Sequence, residues 1–270
     1  MVLNYGTSGF RCDSEKLINY SEKIGEALIN LMDKSKNIKG FLSIIITASH
    51  NPEHDNGIKV INNKGKMINS IQSKYLEYYI NSKNKKIFIK NKLKIIIGRD
   101  TRKSGEKIFN LIIKGIKNVS NCNIIHAGYV TTPIMHYLAK NHNNINNQKD
   151  IQKFIDKYSY QIIHTSIKNT PYVDCSGGVA SKILEKINNN FKVICKSEEN
   201  ILNHNCGSDY LMTHKKLPDI LNNKNNIYGC SLDGDADRSV FWMKNKNKLF
   251  ILDGDYQLVL WSLFLKKKNI

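Results

Sequence analysis

The sequence is poor in several features, and each shortage argues against a class of function. No apolar run approaches the roughly 18 to 20 residues that a membrane-spanning helix needs, so no membrane partner is expected. The opening "MVLNYGTSGFR" has no basic stretch followed by an apolar one, so no secretory leader is expected. None of the six cysteines (Cys12, Cys122, Cys175, Cys195, Cys206, Cys230) stands in a CxxC pair, which argues against a zinc ribbon or a thioredoxin motif. Scattered thiols of this kind suit a reducing compartment, and a cytoplasmic protein is expected. Acidic residues are also scarce, 23 against 41 Lys and Arg, for a formal net charge of +18. The lysines are dispersed and not interleaved with aromatics, and Asn and Ile are overused alongside them. That pattern favours an anion-attracting surface, and no nucleic-acid partner is expected.

What is present is enough for two packed cores: 270 residues, 41% of them apolar and 9% aromatic. Strand-like and helix-like segments alternate. Leu17, Ser21, Ile24, Leu28, Leu31 and Met32 fall on one face of a helix over 15–32. Residues 41–46 read as a buried strand. The spacing predicts a helix over 70–80 with Ile71, Tyr75 and Tyr79 in line, and a second buried strand over 93–97 that ends at "GRDTR". Ser104 is expected to cap the next helix, which has Glu106 in its first turn and Ile108, Ile112, Ile116 and Val119 along one face. A third strand over 123–127 leads into "TTPIMHYLAK", a helix with Pro133 in its first turn.

The polar segment "NHNNINNQKD" then reads as a surface insertion or linker, with a helix expected in "IQKFIDKYSYQ". A second alternating unit follows: strand "PYVDC", a Ser176-Gly177-Gly178 turn, a helix over 179–188, strand "FKVIC", strand "IYGCSL", the acidic turn "DGDADR" and a hairpin over 239–252. The last segment reads as a helix whose apolar positions need a partner. Repeated alternation of this kind predicts an α/β class.

Two turns carry candidate chemistry. Asp233, Asp235 and Asp237 lie at i, i+2 and i+4, a spacing that converges carboxylates on one side of an extended or turning chain. Three such charges repel unless a hard divalent cation sits among them. An EF-hand is ruled out, because its sixth position would be Arg238 and its twelfth Lys244; a solvated acidic turn remains the plain alternative. The other turn follows the apolar run 44–46 and holds Ser49, His50, Asn51 and Pro52. Ser49 lacks the GxSxG context of a hydrolase nucleophile. A phosphoryl-carrying serine is the other reading, since phosphoserine adds about −1.5 to −2 charges that need N–H groups, cations and a metal nearby. The chain offers the turn Gly6-Thr7-Ser8-Gly9 with Arg11, then Lys59, Arg99, Arg102 and the aspartates.

Taken in order, "YGTSGFR", "TASHNPEHDNGIKV", "GRDTR", "TTP", "VDCSGG", "LNHNCGSDYL", "DGDADR" and "LDGD" resemble the α-D-phosphohexomutase superfamily, closer to its acetylglucosamine branch than to phosphoglucomutase or phosphomannomutase. Ser8 and Ser176 stand where that family often has alanine. The resemblance implies tandem α/β domains with mixed sheets between helices: a first domain over 1–148 with the phosphoserine loop, a second over 149–251 with the metal loop, and the truncated start of a third over 252–270. It implies that Ser49 is phosphorylated, that its phosphoryl group passes to N-acetylglucosamine 6-phosphate or 1-phosphate through a 1,6-bisphosphate, and that Asp233, Asp235, Asp237 and a phosphoserine oxygen bind Mg²⁺. It also implies that Arg11 holds the phosphoserine, Lys59 exchanges the hydroxyl proton, His50 assists the loop or orients Lys59, and Arg238 contacts the transferring group. Family members have four domains. The loops expected to recognise the sugar and its non-reacting phosphate are missing here. Little mutase activity is therefore expected of this polypeptide alone, and a separate C-terminal half is a candidate partner beside the sugar phosphate.

Overall fold

A computed structural model describes residues 2–83, 86–160, 170–185, 191–246 and 248–268. It divides into two compact units, Met1–His164 and Thr165–Ile270.

The first unit is built on a six-stranded sheet. Its strands are β1 (Tyr5–Gly6), β2 (Gly9–Asp13), β3 (Phe41–Ile46), β4 (Asp55–Asn62), β5 (Lys94–Arg99) and β6 (Asn123–Tyr129). Their order is β1-β2-β4-β3-β5-β6. β3, β5 and β6 run parallel, while β4 is antiparallel to both β2 and β3. Every residue of β3 is buried, as a β-branched strand covered on both faces should be. Leu42, Ile44 and Ile46 join Ile58, Val60, Ile95 and Ile97 in one core with α1 (Ser14–Lys34) and α3 (Gly105–Val119). On the other face, α4 (Thr132–Lys140) packs against β3 and β4.

Side-chain caps fix where these helices begin. Asp13 accepts from the N–H groups of Glu15 and Lys16 at the start of α1. Thr131 accepts from Ile134 at the start of α4, with Pro133 in the first turn as expected. Ser104 departs from expectation. It makes no capping bond; its hydroxyl meets Ser14 Oγ at 2.9 Å and accepts from Asn56 Nδ2 at 2.8 Å. The face expected of α2 (Ser70–Asn81) is also displaced. Ile71 is 79% exposed, whereas Gln72, Leu76, Tyr79 and Ile80 are buried. An Asn69–Gln72 capping box sets the helix phase, and Asn30 donates to the buried Tyr79 hydroxyl at 3.0 Å.

The Asn-rich segment is anchored by Ile145 and Ile151, both buried. Helix α5 (Gln148–Tyr160) packs on α4 and β6 within the first compact unit.

The second unit has a five-stranded sheet: β7 (Tyr172–Asp174), β8 (Lys192–Ile194), β9 (Ile227–Leu232), β10 (Ser239–Asn245) and β11 (Lys248–Leu252), in the order β11-β10-β9-β7-β8. β7, β8 and β9 are parallel; β10 and β11 form the expected antiparallel hairpin. Helix α6 covers Ala180–Leu184, Glu185 follows it as a turn, and positions 186–188 of the expected helix lie outside the described residues. Helix α7 (Gly207–His214) packs on β9 and β10, with Trp242, Leu211, Leu217, Leu221 and Ile194 in the core between them. The last helix, α8 (Gly254–Lys267), buries no residue.

Candidate active site

In both units the chemistry-bearing loops leave the carboxyl ends of parallel strands, the edge at which open α/β sheets bind ligands. The loops after β3, β5 and β6 do so in the first unit, and those after β7, β8 and β9 in the second.

Ser49 lies three residues past β3, buried, with φ +55°. That left-handed conformation costs a non-glycine residue about 1–2 kcal/mol, so something must hold it. Thr47 Oγ1 accepts from the Ser49 N–H at 3.0 Å and donates to Asp100 Oδ2 at 2.6 Å. Asn51 N–H closes a turn on the Ala48 carbonyl at 3.1 Å, and Asp55 N–H closes another on Pro52 at 3.1 Å. The Asn51 side chain donates to Asp55 Oδ2 at 2.9 Å and accepts from Arg11 Nη1 at 3.3 Å. His50 lies in the same turn, half-buried.

Arg11, on β2, pairs across the sheet with Gly57 of β4. Gly57 has no room for a side chain, since a Cβ there would stand 2.5 Å from the Phe10 carbonyl oxygen and 2.6 Å from that of Thr47. Two residues on, Lys59 is buried in β4 and donates to Thr132 Oγ1, at the start of α4, at 3.3 Å. The Gly6–Gly9 turn and Arg11 line, with Asn4, a cavity of about 330 Å³. The two arginines of "GRDTR" have other engagements. Arg99 meets the Tyr129 hydroxyl at 3.1 Å and Glu106 at 3.3 Å. Arg102 is fully buried beneath the Ser49 turn.

The second unit carries the carboxylates. One oxygen each of Asp233, Asp235 and Asp237 lies within 4.8 Å of the others. Asp233 and Asp235 are fully buried, and Asp237 is exposed. Asp233 Oδ1 accepts from the N–H groups of Asp237 and Arg238 at 3.1 and 3.2 Å, and Oδ2 accepts from Arg238 Nε at 3.2 Å. Arg238 therefore neutralises one of the three charges. Adjacent buried carboxylates still repel in a medium of low dielectric, and an all-oxygen donor set suits a hard cation such as Mg²⁺ rather than zinc. The residues fit the ion expected from sequence.

Sequence reasoning overlooked what supports this loop. Asp174 is fully buried at the end of β7, accepting from Ser176 N–H at 3.0 Å and Gly207 N–H at 2.7 Å. Burial raises its carboxyl above the usual range, and these N–H donors pull it back. Ser176 Oγ donates to Asn203 Oδ1 at 2.6 Å. Gly178 passes so close to Gly234 that a Cβ there would lie 2.5 Å from the Gly234 carbonyl oxygen. "VDCSGG", "LNHNCGSD" and "DGDADR" are thus one packed network. Ser176, Cys195, Asn203, Asn205 and Ala236 within it all have positive φ, and such strain concentrates at functional sites. Asp174, Cys195 and Cys206 also bring ligand-type atoms within 4.8 Å. The Cys195 thiol is pushed up by its hydrogen bond with Cys206 and by burial, while burial pushes Cys230 up to about 12. Thiols held protonated in this way are poor nucleophiles.

Fold and loops together define a tandem α/β protein with a strained, buried serine turn on one unit and a carboxylate turn on the other. Residues 34–87 and 83–148 match the family described as phosphoglucomutase/phosphomannomutase, alpha/beta/alpha domain I. The phosphoacetylglucosamine mutase of Homo sapiens is 30% identical over 297 residues, covering 99% of this chain and 54% of that protein. An N-acetylglucosamine-phosphate mutase solved in its substrate complex superposes with a TM-score of 0.85 at 30% identity, covering 99% of this chain and 56% of that one. The Aspergillus fumigatus N-acetylphosphoglucosamine mutase, solved with GlcNAc-6P and magnesium, gives a TM-score of 0.82 at 26% identity, covering 94% and 53%. The chain belongs to the α-D-phosphohexomutase superfamily, and it spans about half the length of these relatives.

Proposed function

We propose that this chain is the phosphoserine- and metal-bearing part of a phosphoacetylglucosamine mutase, acting in the interconversion of N-acetylglucosamine 6-phosphate and 1-phosphate. The observation that carries this reading is the Ser49 turn: a buried serine held in a left-handed conformation at the carboxyl edge of the sheet, with Arg11 bound to the same turn through Asn51. A serine at rest has no reason to bear that strain, whereas a serine that must be aimed does.

In the forward step the Ser49 Oγ–P bond breaks and a bond from phosphorus to the sugar hydroxyl oxygen forms. The hydroxyl proton passes to Lys59, Ser49 Oγ takes a proton from water as its bond to phosphorus breaks, and the resulting 1,6-bisphosphate reorients. In the return step Ser49 gives its proton back to water and Lys59 returns its own to the sugar oxygen. The reverse transfer from the other end of the reoriented bisphosphate restores the phosphoserine. Lys59 suits the proton role because it is buried in the sheet that carries the serine turn and can both hold and release a proton from its amine, which donates to the Thr132 hydroxyl. Arg11 supplies positive charge at the serine turn, His50 steadies the turn or orients Lys59, and Arg238, which pairs with Asp233, is assigned to the transferring phosphoryl group. Asp233, Asp235 and Asp237, with a phosphoserine oxygen, would hold Mg²⁺, which supplies Lewis-acid stabilisation of charge on the phosphoryl oxygens.

The exposed apolar face of α8 supports docking of a further polypeptide that supplies the rest of the substrate site. Six free cysteines support a cytoplasmic setting. Among the described residues no helix is long and apolar enough to cross a membrane.

Intact-mass measurement of the purified chain tests the central claim. A fraction carrying one phosphate, absent from Ser49→Ala, is the expected result. A phosphate that persists in Ser49→Ala, or none in the parent chain after exposure to a hexose 1,6-bisphosphate and Mg²⁺, overturns it. Co-expression with the C-terminal half of a relative should then restore sugar-phosphate conversion.

A further inference from the structure

Arg102 was expected among the cations around a phosphoserine, and the structure gives it different work. Its side chain is fully buried. Nη1 donates to the carbonyls of Pro52 at 2.6 Å and Asp55 at 3.1 Å; Nη2 donates to those of Ser49 and Asn51, each at 3.0 Å. All four terminal N–H bonds of the guanidinium are therefore taken by backbone carbonyls of one seven-residue turn, and none remains for a phosphate. Nε lies 3.2 Å from Asp100 Oδ2, a charge contact inside the protein rather than an aligned hydrogen bond. Asp100 in turn accepts from Thr47 Oγ1, which accepts from the Ser49 N–H. The network thus holds Ser49 through both its N–H and its carbonyl.

We propose that Arg102 is the positioning residue that sets Ser49 for phosphoryl transfer, an inference that rests on the phosphoserine reading above. The planar fork spans four carbonyls that point inward, and only a guanidinium has that reach and donor count; the ammonium of lysine offers three donors from one point. Released from the fork, the turn would relax toward negative φ at Ser49 and rotate its Cα–Cβ bond away from the line of attack. Phosphoryl transfer depends almost wholly on position and electrostatics. Loss of the fork should accordingly act on transfer by the folded protein rather than only on how much protein folds.

Arg102→Lys and the near-isosteric Thr47→Val test this in the full chain. Amide hydrogen exchange at Ser49, Asn51 and Asp55 reads the turn, with β3 and α3 as internal controls. Incubation with glucose 1,6-bisphosphate and Mg²⁺, followed by intact mass, reads transfer: a sugar O–P bond breaks, the Ser49 Oγ–P bond forms, and the serine proton ends on the sugar oxygen. Protection should fall at least tenfold in the turn alone, and phosphorylation should slow by about a hundredfold, the scale on which misplacement by one ångström acts. A purely structural residue would lower the denaturation midpoint and leave the folded fraction phosphorylating at the wild-type rate, and that result overturns the proposal. If Arg102→Lys does not fold, Thr47→Val alone decides. A wild-type chain that takes up no phosphate is a different failure: it removes the phosphoserine reading, and the role of Arg102 with it.

Discussion

A carboxylate at position 174 organises its loops much as the guanidinium at position 102 organises the serine turn. Each is fully buried and engages backbone groups of neighbouring loops. Asp174→Asn should be costly, because an amide has one acceptor oxygen and would turn its NH₂ toward either the Ser176 or the Gly207 N–H. One buried donor left unsatisfied costs about 1–3 kcal/mol, and chemical denaturation of the variant should show a loss of that order. Asp233 is a different case, since its neighbours are two further carboxylates. Asp233→Asn removes a charged ligand and leaves Arg238 without its acceptor charge. Titration calorimetry with Mg²⁺ or Mn²⁺ should show affinity at least tenfold weaker, with α1 and β3 of the other unit undisturbed by circular dichroism and exchange. Equal affinity in the two proteins would mean that the acidic turn is merely solvated.

At the scale of elements, the crossing of α1 and α3 shows how sequence patterning and packing divide the labour. The apolar positions of both helices were legible from their 3.6 period, and the structure buries them together. The closeness of the crossing was not legible. A Cβ on Gly115 would stand 1.8 Å from the Glu22 carbonyl oxygen, and one on Gly25 would stand 2.2 Å from that of Ile112. Gly→Ala inside a helix ordinarily stabilises by roughly 1 kcal/mol. Gly115→Ala should instead destabilise by about 1–3 kcal/mol through overpacking, and the sign alone, read from a denaturation midpoint, decides. Strand β4 was missed altogether. Its residues Asn56, Gly57 and Lys59 are polar or small, yet β4 pairs with both β2 and β3 and its interior is buried. A strand covered on both faces shows no alternation for sequence to reveal. At the edge of the same sheet, His126 stacks on Phe109 with ring centroids 4.1 Å apart. Burial, with Arg99 nearby, lowers its pKa from the ordinary 6.5. The folded state therefore binds this proton less readily than the unfolded chain. The resulting stability is present above pH 6.5 and is lost as pH falls through the folded-state value. The melting temperature should drop on acidification, and His126→Phe, which keeps the stack, should flatten that drop.

For the whole chain, the two tryptophans give separate reports. Trp242 is 1% exposed in the core of the second unit, whereas Trp261 on α8 is 61% exposed. Leu260, Trp261 and Phe264 line, with Phe241 and Leu252, an apolar cavity of about 400 Å³. Exposed apolar faces of this extent mark protein or membrane contacts or ligand grooves, and the function proposed above assigns this one to a further polypeptide. Adding the C-terminal half of a relative should shift the fluorescence of Trp261 to shorter wavelength and leave that of Trp242 unchanged. Trp261→Phe should abolish the shift, and its persistence in that variant would place the contact elsewhere. The net charge of +18 belongs to this scale too. It acts as a diffuse field on anions rather than as a groove, because the lysines that compose it are spread along the chain.

The sequence by itself determined the α/β class, most of the alternating strands and helices, and the residue types that the proposed phosphoryl and metal chemistry would use. These follow from short-range periodicity and from motifs whose members lie within a few residues of one another. Only the tertiary structure decided where the donors of each cation go. Arg11 meets the serine turn across 40 positions and Arg102 lies under it across 53; Asp174 reaches Gly207 across 33. A charge quoted in a motif does not announce where its donors point. That direction is set by which buried carbonyls and carboxylates would otherwise go unsatisfied once the chain has folded.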